Sequence, residues 1–355
     1  MFESVIKDVL KIFTKDDRFI VYTGRYGTEE EDAIQVLTFN TKTFSFKQLT
    51  SVKGIANPSY LTVNKNQDTL YAISEVKQGK VSCYHIDENT YDLEEKNNRQ
   101  DDEIVGPCYV ALDESERYLF VVNYGGGSIL VYQLADDHTI AELSDQHIYS
   151  SGSRPHTILQ IPNTDRYIVT DLGLDKIYLY TFTKGKLILI NEITTTAKAG
   201  PRHAAVHAKH RKIYIVNEFN SQISVYSYDK TCSNIELVQE INVLNEGMEE
   251  KNFGADIHIA HEKSFLYTSN RGHDSISVFQ INHNGLLTYT DNVSTEGKWP
   301  RNFIITPDET VMFIANQHTN SIVAMEIQAN GTPKYTGVKY SMNAPVCLKA
   351  FNLLP

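Results

Sequence analysis

The sequence contains little tryptophan, little cysteine and no long hydrophobic run: its 355 residues include one Trp and four Cys. No stretch reaches the roughly 18 apolar residues of a membrane-spanning helix, so we expect no membrane association. The cysteines are scattered without a CxxC pair, which is typical of reduced thiols in a cytoplasmic protein. The first residues are charged throughout and lack the apolar segment of a secretory signal. We therefore predict a cytoplasmic protein.

Positive charge is also scarce. Lys and Arg number 33 against 44 Asp and Glu, and the formal net charge is −11. Nucleic-acid binding needs a basic face, so no nucleic-acid partner is expected. A local basic patch that binds one small anion is still compatible with this composition.

The motifs of common cofactor sites are missing. The glycine-rich stretch NYGGGS (123–128) lacks the GxGxxG spacing, a following helix and a P-loop lysine. No GxSxG nucleophile elbow is found. His203 and His207 would lie roughly 13 Å apart on one strand, at about 3.3 Å per residue, which is too far for direct binding to one metal ion. We predict no metal and no cofactor.

The sequence does contain a repeat. A Pro or Gly, here called the first anchor, is followed 16 residues later by an Asn, Asp or Ser, the second anchor. Successive units start 46 to 53 residues apart. Within each unit, short runs of β-branched and aromatic residues alternate with turns rich in Asp, Asn, Pro and Gly, which predicts four strands. The anchor pairs are Pro58 and Ser74, Pro107 and Asn123, Pro155 and Asp171, Pro201 and Asn217, Gly254 and Asn270, and Pro300 and Asn316.

The two ends of the chain complete one further unit. The segments 19–24 and 34–39 resemble second and third strands, and 344–351 resembles a lone first strand. Seven four-stranded units predict an all-β fold, a seven-bladed β-propeller whose ring is closed by N- and C-terminal strands that share one blade. Closure would also remove exposed sheet edges. We expect one domain over 1–355, with 1–17 as an extension that forms a short helix packed on the propeller.

The residues that follow the anchors differ from unit to unit. In an antiparallel hairpin, the residue numbers of two opposed positions have a constant sum. The residue after the first anchor should therefore lie roughly opposite the residue after the second anchor. Both positions fall at the open end of the hairpin, on one face of the ring. Because the framework repeats and these residues do not, we expect a functional site there. Arg202 and Glu218 are predicted to form a cross-strand pair at the mouth of the central channel.

Several motifs resemble those of the lactonase family of seven-bladed propellers, which includes bacterial 6-phosphogluconolactonases and fungal carboxymuconate-lactonizing enzymes. The resemblance covers essentially the whole chain and is most specific in its second half. It implies a site made of a His, an Arg, a Glu and a second Arg, at His156, Arg202, Glu218 and Arg271. The motifs are RPH (154–156), GPRH (200–203), VNEFNS (216–221), DIHI (256–259) and SNRGHDSI (269–276).

The resemblance further implies hydrolysis of 6-phosphogluconolactone to 6-phosphogluconate, in the pentose phosphate pathway. With an ordinary pKa of about 6.5, His156 suits proton transfer at neutral pH. Glu218 near two arginines should be the weaker base and should orient Arg202 or a water. The arginines would hold an anion or stabilise developing negative charge. Further substrate-binding candidates are His203, Asp256, Arg301 and Gln317.

Two alternatives stay open at this point. One is a lactonase or lactonizing cyclase that acts on another acidic sugar or diacid. The other is a propeller without enzymatic activity that binds an anionic ligand or a protein, since propellers serve all of these roles. The expected partner is a small anionic sugar lactone, and the expected assembly is a monomer or weak homodimer.

Overall fold

A computed structural model describes residues 18–245 and 251–353. These residues form 28 strands in seven antiparallel sheets of four strands each. They also contain two single-turn 3₁₀ helices, Ala208–His210 and Gln317–Thr319. Within this part of the chain, no helix is long and apolar enough to cross a membrane. The helix predicted within 1–17 lies outside the described residues.

Each sheet is one blade, and blades 2 to 7 follow one another along the chain with their strands in sequence order. The strands are, in blade 1, β28 (Pro345–Asn352), β1 (Arg18–Arg25), β2 (Ile34–Asn40) and β3 (Ser45–Val52); in blade 2, β4 (Leu61–Val63), β5 (Thr69–Ser74), β6 (Lys80–Ile86) and β7 (Leu93–Arg99); in blade 3, β8 (Pro107–Leu112), β9 (Tyr118–Asn123), β10 (Ser128–Leu134) and β11 (Ile140–Ile148); in blade 4, β12 (Pro155–Gln160), β13 (Arg166–Asp171), β14 (Lys176–Thr183) and β15 (Lys186–Thr194); in blade 5, β16 (Pro201–His207), β17 (Lys212–Asn217), β18 (Gln222–Tyr228) and β19 (Ile235–Asn242); in blade 6, β20 (Phe253–Ala260), β21 (Phe265–Arg271), β22 (Ser275–Ile281) and β23 (Leu287–Ser294); in blade 7, β24 (Pro300–Ile305), β25 (Val311–Asn316), β26 (Ser321–Ile327) and β27 (Pro333–Ser341).

The ring is closed by the two ends of the chain. Strand β28 pairs antiparallel with β1, from Phe19 opposite Asn352 to Arg25 opposite Pro345. The predicted seven-bladed propeller with a shared blade is therefore confirmed. At this junction the ring of Phe39 in blade 1 packs edge-on against Phe313 in blade 7, with centroids 4.8 Å apart.

Tyrosine hydroxyls connect neighbouring blades. Tyr214, in the second strand of blade 5, donates to the carbonyl of Gly285 in blade 6 at 2.8 Å. Tyr267 in blade 6 makes the same contact to Gly331 in blade 7. Each acceptor lies in the turn between the third and fourth strands of the next blade. A buried tyrosine needs a partner for its hydroxyl, and this repeated contact gives the abundant tyrosines of the sequence a structural role.

In four of the blades the first strand carries a one-residue bulge directly after its first anchor. In blade 5, Pro201 pairs with Asn217 and His203 pairs with Val216, so Arg202 is the extra residue. The predicted register, with Arg202 opposite Glu218, was therefore wrong, because the two anchors pair with each other. The bulges of blades 3, 4 and 7 fall in the same way at Cys108, His156 and Arg301. A bulge changes the direction in which its side chain points. The four bulge residues still lie at the open end of their hairpins.

Candidate active site

The residue after the second anchor is fixed by one repeated backbone hydrogen bond. The N–H of Glu218 donates to the carbonyl of Gly200, just before the first anchor of its blade, at 2.8 Å. The same bond recurs in blades 1, 2, 4 and 7, where the donors are Tyr26, Glu75, Leu172 and Gln317. These backbones therefore present their side chains around one face of the ring at equivalent places.

Glu218 lies between two arginines. Its Oε2 is 2.7 Å from Arg271 Nη2 and 3.1 Å from Arg202 Nε, which confirms the predicted pair and adds Arg271 to it. Both arginines are almost fully buried, whereas the Glu218 side chain is 18% exposed. The guanidiniums also donate to backbone carbonyls of blade 6, Arg202 to Ala255 and Arg271 to Gly254. Blades 5 and 6 thus hold a rigid Arg–Glu–Arg cluster.

Charge and burial set the protonation of this cluster. Burial raises the pKa of the Glu218 carboxyl, but the charges of Arg271 and Arg202 outweigh burial and bring that pKa below its ordinary value. Burial, followed by repulsion from Arg202, lowers the pKa of Arg271 to about 9. All three groups are therefore charged at neutral pH. A carboxylate with a lowered pKa is a weak base, so Glu218 is suited to orienting the arginines.

His156 lies in the bulge of β12 and is buried. Its ring centroid is 5.8 Å from that of Tyr124 and 5.0 Å from that of His203. Burial, followed by the charge of Arg202, lowers the pKa of His156 well below its ordinary value. The expectation of a pKa near the ordinary value of about 6.5 was therefore wrong, and the imidazole is neutral at neutral pH.

A second charged cluster faces the same channel. Arg301 Nη2 lies 3.6 Å from Glu75 Oε2, and its guanidinium stands 5.4 Å from the centroid of the Tyr26 ring. The Tyr26 hydroxyl donates to Glu75 Oε2 at 2.9 Å. Arg301 is close enough to act electrostatically on Glu218 and on His156, whose pKa values it lowers.

Two residues of this second cluster were missed by sequence reasoning. Glu75 occupies in blade 2 the repeat position of Glu218, and that equivalence was a usable signal. Tyr26 occupies the same position in blade 1, where the chain supplies no complete pair of anchors. Across both clusters, three guanidiniums face two carboxylates, which leaves one net positive charge in a chain of net charge −11.

His203 and Asp256 lie one residue further along their strands than the residues that directly follow the first anchors. His203 Nδ1 is 2.7 Å from Asp256 Oδ1, and both side chains are nearly inaccessible. The structure brings His203 against His156 and places Asp256 in a network of hydrogen bonds with His203, Ile257 and Asn302. Gln317 begins a 3₁₀ helix, and its buried Oε1 has no partner among the described residues. Substrate binding by these three residues stays a prediction.

Three polar atoms of His156 and the two arginines of the cluster have no hydrogen-bond partner among the described residues: His156 Nδ1, Arg202 Nε and Arg271 Nε. Arg202 Nε is close to Glu218, but its N–H does not point at the carboxylate oxygen. Buried polar atoms are normally paired, and unpaired ones call for an explanation. A neutral imidazole beside cationic donors can accept a proton from water while the guanidiniums stabilise an oxyanion.

Comparison with known proteins identifies the family. Residues 20–350 match the family described as "Lactonase, 7-bladed beta-propeller". A protein of Bacillus subtilis named 6-phosphogluconolactonase is 29% identical over 94% of this chain and 98% of its own length. A protein of the same name from Formosa agariphila is 30% identical over 82% of this chain and 87% of its own.

Solved structures share the fold. A protein from Lactobacillus plantarum has a TM-score of 0.87 at 26% identity, covering 94% of this chain and 99% of its own. The periplasmic gluconolactonase of Pseudomonas aeruginosa has a TM-score of 0.88 at 24% identity, covering 95% and 100%. Given the family match over nearly all of the described residues, the chain belongs to the lactonase family of seven-bladed β-propellers and is a lactone-hydrolysing enzyme.

Proposed function

We propose that this enzyme hydrolyses 6-phosphogluconolactone to 6-phosphogluconate, as the names of its Bacillus and Formosa relatives suggest. The observation that carries the proposal is the pairing of a rigid Arg–Glu–Arg cluster beside His156 with a separate, loosely held arginine, Arg301. The Arg–Glu–Arg cluster with His156 is suited to act on the lactone carbonyl. Arg301 is suited to bind an anionic group elsewhere on the same substrate. The alternative of a propeller without enzymatic activity is set aside.

Arg301 would bind the phosphate. Among the described residues its only ion pair, with Glu75, is long at 3.6 Å, and its guanidinium forms no hydrogen bond with a described group. The Arg202 and Arg271 guanidiniums, in contrast, are committed to Glu218 and to backbone carbonyls. A guanidinium with free donors can bind a phosphate bidentately.

The chemistry would run at His156. The imidazole removes a proton from water, and the hydroxyl oxygen adds to the lactone carbonyl carbon. Arg202 and Arg271 stabilise the negative charge that develops on the carbonyl oxygen. The ring C–O bond then breaks, and the proton on His156 passes to the leaving alkoxide oxygen. The carboxylic acid product ionises, so each turnover releases one proton.

The substrate would also adjust the base. In the protein, burial and Arg202 hold the pKa of His156 low, which makes it a weak base. A phosphate carries roughly −1.5 to −2 charges at neutral pH. Brought near the arginines, these charges offset the cationic field and raise the pKa of His156. A neutral lactone would not have this effect, and the mechanism therefore favours a phosphorylated one.

We place the reaction in the cytoplasm, a proposal supported by the four cysteines, which are all buried and free. Cysteines paired in disulfides would have suggested an oxidising compartment. The expected partner is the lactone alone.

The test compares two lactones. Purified enzyme is assayed on freshly generated 6-phosphogluconolactone and on glucono-δ-lactone, with spontaneous opening subtracted. We expect Arg301→Met to lower kcat/KM for the phosphorylated lactone by about 10- to 150-fold, the range of a lost charged hydrogen bond. For glucono-δ-lactone the change should stay within about twofold, because this lactone has no phosphate.

Two controls sharpen this test. Arg301→Lys keeps the charge and should retain part of the preference. Lys198→Met removes an exposed cation outside the two clusters and should have no effect. Equal wild-type rates on both lactones, or equal losses in Arg301→Met, would overturn the assignment of phosphate to Arg301.

A further inference from the structure

We propose that Trp299 is a positioning residue for Arg271: its ring supports the guanidinium without taking any of the N–H groups that would meet the substrate. The inference rests on the proposed function, in which Arg271 stabilises the negative charge on the carbonyl oxygen. It assigns a role to the single tryptophan of the sequence, a residue that does not contact the reacting atoms in that mechanism.

The Trp299 ring lies beside the Arg–Glu–Arg cluster, directly before the first strand of blade 7. Arg271 Cζ is 5.5 Å from the centroid of this ring. The His318 ring stacks on it almost in parallel, with centroids 4.8 Å apart and 14° between the planes. The Phe253 ring packs against it with centroids 5.9 Å apart. Two other rings therefore hold Trp299 in place, so that it offers Arg271 a fixed surface.

The backbone of Trp299 has a conformation that favours small residues. Its φ is 63°, in the left-handed region, where a large side chain is strained. Four other blades have a positive φ at the same place, directly before the first anchor, which in blade 1 is Pro345. Their residues are Asn57, Gly106, Gly200 and Ala344. Glycine and asparagine adopt this conformation most readily. Blade 7 thus has a tryptophan where the framework favours a small residue, which indicates that the side chain itself has a function.

The polar contacts of the Arg271 guanidinium are all at one nitrogen. Among the described residues, both of its polar partners, the Glu218 carboxylate and the Gly254 carbonyl, contact Nη2. Its Nε has no hydrogen-bond partner among them. A guanidinium carries five N–H groups, so those on Nε and Nη1 stay available for an oxygen of the substrate. Contacts at Nη2 alone would leave the plane of the guanidinium free to tilt.

An aromatic ring is suited to prevent this tilt. It attracts a cation through its quadrupole and consumes no N–H donor. A second carboxylate would also hold Arg271, but it would occupy donors and offset the positive charge that stabilises an oxyanion. Among aromatic side chains, tryptophan attracts a cation most strongly. Trp299 therefore keeps Arg271 oriented while its donors stay free for the reacting oxygen.

The decisive comparison is Trp299→Leu with Trp299→Phe. Both variants place a large side chain at the same φ, so backbone strain is common to both and cancels from the comparison. We expect Trp299→Leu to lower kcat by about 5- to 30-fold, the range of a lost cation–π contact to a buried arginine. KM should change less than about twofold, because no contact with the bound substrate is lost. Trp299→Phe keeps an aromatic ring and should stay within about threefold of the wild-type kcat.

A double-mutant cycle separates positioning from a structural role. Arg271→Met removes the group through which Trp299 acts and should lower kcat by about 10²–10³-fold, as for a lost oxyanion donor. If Trp299 acts through Arg271, adding Trp299→Leu to Arg271→Met should lower kcat by no more than about a further twofold. A general disturbance of the site would instead lower kcat in both backgrounds. Circular dichroism and melting temperatures check the fold of every variant.

Tyr335→Leu is the matched control. The Tyr335 ring also lies against a cation, with Lys339 Nζ 5.6 Å from its centroid, but on the outer strand of blade 7. This variant should keep the wild-type kcat. All rates are measured on whichever of the two lactones the wild type opens.

The outcomes distinguish the inference from the proposed function. If Arg271→Met loses activity and Trp299→Leu does not, the positioning role is wrong and the proposed function stands. If Arg271→Met keeps the wild-type kcat, the proposed role of Arg271 fails and Trp299 has no group to position. If Trp299→Leu lowers kcat equally in the wild type and in Arg271→Met, Trp299 does not act through Arg271 and the inference is overturned.

Discussion

His156 shows how far a residue can depart from its ordinary chemistry. Its identity and its place after Pro155 were readable from the repeat. Its lowered pKa was not, because burial and the approach of Arg202 from the next blade arise only in the folded ring. The lowered pKa of Glu218 was likewise not readable from the sequence, because its partner Arg271 comes from the neighbouring blade 6. The set of charged groups is readable from the residues, whereas their pKa values depend on burial and on neighbours that only the folded ring brings together.

The lowered pKa values make stability depend on pH. Burial, with Arg202 as the next cause, brings the pKa of His203 to about 4, and burial with His210 does the same for His207. In the unfolded chain a histidine titrates at about 6.5. Between these values the unfolded chain binds protons that the folded protein does not bind. The free energy of unfolding therefore falls as pH falls, by up to about 1.4 kcal/mol per pH unit for each such group.

We predict that the melting temperature drops from pH 7.5 to pH 5.5, as measured by thermal unfolding in buffers of equal ionic strength. His203→Gln should reduce this drop, because it removes one of the titrating groups. His85→Gln, at an exposed position, should leave the drop unchanged. A melting temperature independent of pH across this interval would contradict the lowered pKa values.

At the scale of the strands, the hairpin arrangement was predictable and the bulge was not. Apolar runs and turn residues located the three predicted strands of the split blade to within one residue. The predicted register around Arg202 was shifted because it supposed a regular ladder of paired residues, whereas the strand contains a bulge. The bulge has no clear local sequence signal, since the residue at this place is a Cys, a His or an Arg in different blades. Tyr26 was missed for a related reason, because blade 1 starts in the middle of the repeat.

The tyrosine contacts between blades provide a test at this scale. Tyr214→Phe removes a buried hydroxyl and leaves the Gly285 carbonyl without its donor. We predict a loss of about 1–3 kcal/mol in the free energy of unfolding, the cost of an unsatisfied buried polar group. Urea denaturation measures it. Tyr335→Phe is the control, because that hydroxyl forms no hydrogen bond with a described residue and the side chain is only partly buried. Equal stability of the two variants would show that the hydroxyl contact contributes nothing.

At the scale of the molecule, the site is assembled from distant parts of the chain. His156, Arg202 and Arg271 come from blades 4 to 6, while Tyr26 and Glu75 come from blades 1 and 2. Only a closed ring brings these groups around one channel. Closure depends on β28, the first strand of blade 1.

Deletion of residues 343–355 should therefore remove the partner of β1 and leave its edge and the apolar junction with blade 7 exposed. Exposed strand edges promote aggregation, so we predict loss of soluble protein, measured by fractionation and size-exclusion chromatography. A circular permutant that opens within 101–106 and joins the natural ends by a flexible linker keeps every strand and should remain soluble. A soluble, monomeric deletion variant with lactonase activity would contradict the role of β28.

The late position of β28 also has a consequence for biosynthesis. This strand is translated after the other 27 described strands, so blade 1 can be completed only once the other six blades have been synthesised. At roughly 5–20 residues per second, translation of the chain takes about 20–70 s. Throughout that time the nascent enzyme has an open ring, and its first strand lacks one neighbour. Catalytic competence thus arises in a single closing event that must wait for β28, and chaperones would have their greatest opportunity to act just before it.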